Sequence, residues 1–501
     1  MLDRLPVIVG VAQRTYRTDD PAAGREPLLM MEDVARAACV DARASGLAAR
    51  VDSVRVVNMF SASYADPARA LAERLGFAAG ERLYTSIGGN TPQWLVNRTA
   101  DDLVAGRVRV ALIAGAEAFH TLRLAAQRGL TLAWTQYQGH APMIGDTRMG
   151  SHPDEWRHGA QMPSHIYPLF EIALRAHRGE TPAAHRERIA ALSASFARVA
   201  AENPDAWFRD GKTAAAIGTV TERNRMVAFP YLKFMNPIIE VDQAAALVMT
   251  TTVEARTLGV PPERCVYLHG GGDAHDIWWL KDRLDYHSSP GMALAFEQAL
   301  TQAAVEAGAL GPIDVYSCFP VASAFAANLL GFPADGSRPL TVTGGLPYFG
   351  GPGNNYVTHA IVGMVERLRA APGSLGLVSG LGWYMTKHAV GIYGAAAPAR
   401  PWARPHAEAL QARIDGLVHP TAVATATGRA RIETYTVVHD REGIASNALI
   451  VARLEDGTRT FASLDSDPEA LALLEREEMV GAPGHVRTDG EGRNHFRMVG
   501  G

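Results

Sequence analysis

Cysteine is scarce, with three in 501 residues. That excludes a disulfide scaffold, whose chains are short and cysteine-dense. Lysine is nearly missing: Lys212, Lys233, Lys281 and Lys387 are the only four among 48 basic residues. With so much Ala and Arg, we read this as genomic base bias. Neither sign of charge dominates, since 48 Lys plus Arg face 52 Asp plus Glu for a formal charge of −4. A strongly basic nucleic-acid binder is therefore excluded. No run approaches the ~18 uninterrupted apolar residues of a membrane span. The start, Met1-Leu2-Asp3-Arg4, lacks the basic residues and long apolar core of a signal peptide. The expected compartment is the cytoplasm, with thiols reduced. The 17 histidines show no close metal-ligand spacing, and no Cys-x-x-Cys pair exists. His269, His275 and His287 lie with Asp273 and Asp276 around Gly270-Gly271-Gly272, too irregularly spaced for a metal to be expected. No phosphate loop ending in Gly-Lys-Ser/Thr is present.

What is present is apolar. Hydrophobic residues make up 47% and charged residues 20%, below the ~25% typical of soluble domains. Strands are expected at 7–11, 51–59 and 108–114, alternating with helices at 26–46, 67–75 and 91–105. Thr91-Pro92 is a competent helix start. Such alternation favours α/β layers on a mostly parallel sheet. Residues 119–235 break it with scattered Gly, Pro, His and Trp and one long helix at 182–202. They read as an insertion over the sheet that shapes a pocket. Segment 242–254 is apolar with helical spacing. Strands are expected at 266–270, 313–319, 375–378 and 389–393, and helices at 290–307 and 354–370. Residues 395–405, rich in Ala and Pro, read as a linker. Short strands at 430–438, 448–454, 459–464, 485–488 and 495–499, with a helix at 468–476, suit a small β-barrel of OB type.

Five motifs in order carry a resemblance over residues 5–394. The stretch 103–117, with Gly106 and Gly115-Ala116-Glu117, resembles the segment after the thiolase nucleophile helix. Residues 229–250, with Asp242-Gln243-Ala244-Ala245, resemble the passage from loop domain to second half. Val315-Tyr316-Ser317-Cys318-Phe319 resembles the His-Asp-Cys-Phe motif of sterol-carrier-protein-type thiolases. Gly344-Gly345 with Gly350-Gly351-Pro352 resembles the Gly-Gly…Gly-His-Pro loop. Ser379-Gly380 resembles the C-terminal Cys-x-Gly. The chain thus resembles the thiolase superfamily. It is similar to the thiolase-like proteins with an additional C-terminal domain, often labelled acetyl-CoA acetyltransferases, and more loosely to thiolase-like aldolases that work with an OB-fold partner. The resemblance implies duplicated βαβαβαββ halves in α-β-α-β-α layers. The first half spans 1–240 with a loop domain at 119–235, and the second spans 241–395. A linker at 396–420 and an OB-like domain at 421–501 follow. It also implies an acyltransferase-type protein of lipid metabolism that takes a coenzyme A thioester as substrate, with no bound cofactor. Thiolases are dimers or tetramers, so a homodimer is implied unless the added domain covers the usual interface.

The departures matter more than the matches. By resemblance, the nucleophilic cysteine falls on Gly89, the Gly-His-Pro histidine on Gly351, the acid/base cysteine on Ser379 and the first histidine on Tyr316. Gly89 has no side chain, so acyl transfer from it is impossible. A Gly-Gly turn at a helix start still presents free N–H groups, with Asn90 beside it, to an anion or a carbonyl; a bare tight turn is the plain alternative. The second Gly-rich loop, with Gly351 and Asn354, has the same property. Tyr316 and Tyr348 lie in loops expected to converge, as acid or base in an aldol-type step or as pocket wall. Cys318 is a nucleophile or an inert buried thiol. Cys39 and Cys265 read as core. Lys387 is a Schiff-base candidate if buried, or a surface or strand-end lysine. The OB-like tail has few aromatics and mixed charge, so neither nucleic acid nor membrane is an expected partner.

Three readings follow. One is an acyl-CoA enzyme that makes or breaks a carbon–carbon bond without an acyl-cysteine. The second is a non-catalytic acyl-CoA-binding or scaffold protein. The third is an acyltransferase using Cys318.

Overall fold

The structure is a computed structural model that describes residues 4–135, 142–405, 407–465 and 467–499. Met1, Leu2 and Asp3 of the chain start lie outside them. The first half contributes strands β1 (Pro6–Thr15), β2 (Ser53–Val56), β3 (Glu81–Thr85), β4 (Val110–Ala118) and the short β5 (Met143–Ile144). After two further short strands, β6 (Met226–Ala228) and β7 (Tyr231–Leu232), comes β8 (Asp242–Thr251). The second half contributes β9 (Val266–His275), β10 (Leu310–Asp314), β11 (Leu375–Gly382) and β12 (Lys387–Gly394). The sheet order is β10-β11-β12-β9-β1-β8-β4-β2-β3-β5. Leaving out β3 and β5 at the edge, the order β2-β4-β8-β1 of the first half matches β10-β11-β12-β9 of the second, with the same parallel and antiparallel pairings. The halves join where β1 pairs antiparallel with β9 at Val7–Tyr267 and Ile8–Val266.

Helices Thr91–Val104 and Tyr356–Ala370 lie between the halves, each packed against strands of both. Pro27–Asp41 covers the outer face of the first half, and Pro290–Ala303 that of the second. The Thr91–Val104 helix is pinned by a fully buried ion pair. Arg55 on β2 donates to Asp102 at 2.7 Å, to Glu81 at 2.7 Å and to Thr99 at 2.8 Å.

The segment 242–254, expected to be helical, is instead strand β8 up to Thr251. All ten of its residues are buried between β1 and β4. A strand buried on both faces shows no alternation, and its alanines match helical spacing equally well. The strand expected at 313–319 stops at Asp314, so Tyr316 and Cys318 lie on the turn before helix Pro320–Leu330. The insertion holds more helix than expected, including Phe119–Gln127 and Pro163–Arg178. The stretch expected as linker carries helix Ala407–Asp415, packed on β9.

The C-terminal strands are β13 (Gly428–His439), β14 (Ala445–Leu454), β15 (Arg459–Asp465), β16 (Pro483–Thr488) and β17 (Asn494–Met498). Their order β14-β15-β17-β16-β13 closes on itself through β13–β14, making a five-stranded barrel of OB type. The barrel sheet extends into the insertion, where Val438 pairs with Ala228 of β6.

Candidate functional site

The site grows from the turn before helix Thr91–Val104. Thr91 Oγ1 donates to the Gly88 carbonyl at 2.7 Å, and the Gly88 N–H donates to Asn354 Oδ1 at 2.8 Å. Asn354 also donates to the Asn58 carbonyl at 3.0 Å. The two Gly-rich loops are thereby tied together. A Cβ built on Gly89 would lie 2.1 Å from Tyr316 Oη and 2.6 Å from the Leu381 carbonyl oxygen. The Tyr316 phenol thus fills the space that a side chain at position 89 would need. The Tyr316 N–H donates to Ser379 Oγ on β11 at 3.1 Å, and its ring meets Tyr356 edge-on at 5.8 Å. So Gly89, Asn90, Asn354, Tyr316 and Ser379 share one place.

Among the described residues the Tyr316 hydroxyl has no hydrogen-bond partner. Burial, then the nearby Cys318, pushes this phenol well above its ordinary range, so it stays protonated and serves as a donor, not a base. Beside it lies an enclosed cavity of ≈ 10 Å³, shared with Ser379, His388, Met292 and Phe296. That is room for about one water-sized group.

The other expected site residues are placed differently. The loops of Tyr316 and Tyr348 do meet, since the Leu346 N–H donates to Ser317 Oγ at 3.3 Å. The Tyr348 hydroxyl, however, donates to the Phe234 carbonyl at 3.0 Å. It is buried and held protonated by desolvation, engaged with the insertion and not with Tyr316. The Gly351 N–H donates to the Ile238 carbonyl at 2.7 Å and is thus not free to bind an oxyanion. Cys318 is buried, and desolvation pushes its thiol up to about 12. The neighbouring Tyr167 donates its hydroxyl to the Trp383 carbonyl at 2.7 Å and stacks on Phe319 at 4.5 Å.

On the other side of the same helix start opens a larger cavity of ≈ 380 Å³. Ser86, Asn90, Trp94, Asp146, Trp278 and Lys387 are among its walls. Sequence reasoning missed the pocket because its walls come from β5, β9, β12 and helix Ala407–Asp415, which are distant in the chain. Lys387 starts β12, opposite Gly382 of β11 and His275 of β9. It is 6% exposed, and its Nζ donates to the Ile87 carbonyl at 2.5 Å. It is a strand-end lysine, one of the expected alternatives, but it is buried and not on the surface. Desolvation lowers its pKa to about 8, with Asp146 and Arg148 acting in opposite directions. Gly88 makes the space for it, because a Cβ there would lie 2.9 Å from Lys387 Cε.

The histidines of the 269–287 region are spread apart. His269 bonds the Ala396 carbonyl at 2.9 Å, His275 the Asp276 carbonyl at 2.8 Å, and His287 stacks on His177 at 4.2 Å. Among the described residues, no three His, Cys, Asp or Glu side chains converge to hold a metal. Asp276, His388 and Ser289 do form a buried triangle, with His388 Nε2 at 3.1 Å from Asp276 and 3.2 Å from Ser289. Both contacts fall on one imidazole nitrogen, so it is no relay. Ser289 caps helix Pro290–Ala303 through the Met292 N–H.

Together the duplicated layers, the paired helix starts and the closed barrel define a thiolase-fold protein with an added C-terminal domain. Residues 409–491 match the model of the thiolase-like protein type 1 additional C-terminal domain. The whole chain is similar to the crystal structure of a monomeric SCP2-thiolase like protein type 1 from Mycobacterium smegmatis. Identity is 32%, the TM-score is 0.85, and 99% of each chain is covered. The chain belongs to that family of SCP2-thiolase-like proteins. An acetyl-CoA acetyltransferase from Syntrophomonas wolfei shares the fold at 16% identity and TM-score 0.57, over 78% of this chain and 99% of that one. The Ltp2-ChsH2(DUF35) aldolase does so at 17% and 0.59, over 78% and 97%. No curated protein matches.

Proposed function

We propose that this chain handles an acyl-CoA-type carbonyl compound at the start of helix Thr91–Val104. There it makes or breaks a carbon–carbon bond next to the carbonyl, without an acyl-cysteine. The observation behind this is the Gly89–Tyr316 pair: a protonated phenol takes the seat of the expected nucleophile. A phenol so placed donates a proton to an oxygen on which negative charge develops. That suits an aldol or retro-aldol step, which needs no covalent acyl group. The fold shared with an acetyl-CoA acetyltransferase and with an aldolase supports the substrate class. Acyl transfer through Cys318 has least support, because a thiol pushed up to about 12 is protonated at neutral pH.

A specific observation favours a second reading, a non-catalytic acyl-CoA-binding protein: the cavity beside Tyr316 measures only ≈ 10 Å³. Panels of 3-hydroxyacyl- and 3-oxoacyl-CoA separate the two. The enzyme reading expects turnover of at least one class. It also expects Tyr316→Phe to lower kcat by about 100-fold or more with little change in KM, as for loss of a proton donor. Tight binding of CoA esters with no turnover of either class would establish the binding protein instead.

A further inference from the structure

We infer that Lys387 is an amine nucleophile that forms an imine with an uncharged aldehyde or ketone in the ≈ 380 Å³ cavity beside the Thr91 helix start. The geometry is specific. Lys212 and Lys281 pair with Asp210 and Asp282, and among the described residues neither Lys233 nor Lys387 makes an ion pair, but Lys233 is exposed and Lys387 is buried. Its one hydrogen bond goes to a neutral acceptor, the Ile87 carbonyl. Gly88 and Gly382 are both held bare beneath its Cε, where a Cβ would stand 2.9 Å and 3.1 Å away. The aliphatic stem is thus clamped between the turn at Gly88 and the end of β11, beside a cavity large enough for a small ligand.

Burial in this setting favours the neutral amine, which has the free lone pair the reaction needs. The adjacent helix start adds positive potential, with the same effect. The charged and titratable groups facing Lys387 are Asp146 and Arg148 after β5, Asp273 and His275 on β9, and His388 next to it; Glu408 and Asp415 close the cavity from the C-terminal side. Asp146 is held by Arg148 at 2.6 Å, and Asp273 by Arg404, so neither acid is free to pair with the lysine. Arg148 is also stacked over Trp278 at 3.8 Å. With these acids on the rim and Trp94 and Trp278 in the walls, the cavity suits a neutral, partly apolar carbonyl compound and not an anion.

The chemistry closes without a further reactant. The Lys387 lone pair attacks the carbonyl carbon. The carbonyl oxygen leaves as water with both N–H hydrogens, and a C=N bond remains on Nζ. Asn90 lines the cavity, and its buried Oδ1, which has no donor among the described residues, lies over Gly88 and Gly382 beside the lysine stem, an acceptor for the carbinolamine hydroxyl.

The test uses the full chain, butanal as probe and cyanoborohydride to reduce any imine, read by intact mass and peptide mapping. Lys387 is expected to gain a butyl group at least ~10-fold faster than Lys212 or Lys281 at about pH 8, because an ordinary lysine is under one per cent neutral there. Its labelling rate should reach half-maximum near pH 8, which the unaltered protein reports without any variant. Lys387→Met, checked for folding by circular dichroism, should lose the fast adduct. Labelling of Lys387 no faster than the other lysines, or with their pH profile, would overturn the inference. The readout needs no CoA ester, so it stands or falls apart from the Tyr316 reading.

Discussion

At the scale of the residue, Lys387 also sets a pH dependence of stability. Its folded pKa is about 8, against about 10.4 for an ordinary lysine. Between those values the unfolded chain holds a proton that the folded chain has released. Stability contributed by this group therefore rises with pH across that window, and below about pH 8 the full desolvation cost is present. Lys387→Met should flatten the rise, by up to about 1.4 kcal/mol per pH unit within the window. Urea midpoints for both proteins at about pH 7, 8.5 and 10 check it; identical slopes would contradict it. The family resemblance reached part of this site. The positions it marked, Gly89, Tyr316 and Ser379, meet in space. It did not show that the phenol lies on Gly89, since that depends on where β10 ends and how the next turn bends. Nor did it show that Tyr348 turns away to Phe234, a partner supplied by the insertion.

Among the elements, helices were more legible than strands, for a physical reason. Helix Pro182–Glu202 carries its start and end in local residues, with Thr181 capping Ala184 and proline at the first turn. Helix Pro67–Leu75 likewise has Asp66 at one end and left-handed Gly76 at the other. Strand β8 carries no such marks, and β3 was unseen because a short strand next to an edge has only five residues to show alternation. What fixes the central Thr91–Val104 helix is likewise nonlocal. Arg55 comes from β2, and its guanidinium is fully buried. Asp102→Ala should cost ~1.5–3 kcal/mol by denaturant unfolding, because the buried Arg55 loses one charged hydrogen bond while keeping Glu81. Arg55→Met, close in volume, should cost clearly less, since Asp102 keeps its 2.8 Å bond to Arg107. Equal losses in the two variants would show that packing, not charge, holds the helix.

Over the whole molecule, the barrel and the thiolase layers are joined by a polar contact, and they are expected to unfold as one body. Their contact is made of groups that each side cannot satisfy alone. Thr434 Oγ1 donates to the Leu169 carbonyl at 2.6 Å, and Thr436 Oγ1 to the Phe229 carbonyl at 2.9 Å. The Phe229 N–H donates to the Val437 carbonyl at 2.9 Å. Arg175, fully buried on the insertion, reaches Glu478 at 3.2 Å and the Tyr435 hydroxyl at 3.1 Å. In return Arg459, fully buried on the barrel, reaches the Lys281 carbonyl at 3.0 Å. Separating the two parts would exchange these hydrogen bonds for bonds to water, at about 0.5–1.5 kcal/mol net for each neutral pair and about 1.5–3 kcal/mol for those of the arginines. Partial unfolding of the barrel is thus more costly than its size suggests. Calorimetry of the full chain should show a single transition. Arg175→Ala, which removes a charged hydrogen bond beside a half-exposed Glu478, should lower that transition by ~1.5–3 kcal/mol without splitting it. A separate, earlier transition for the barrel would mean that the added domain sits on the layers without being part of their core. Its helix Ala407–Asp415 would then be free to leave the Lys387 cavity that it now borders.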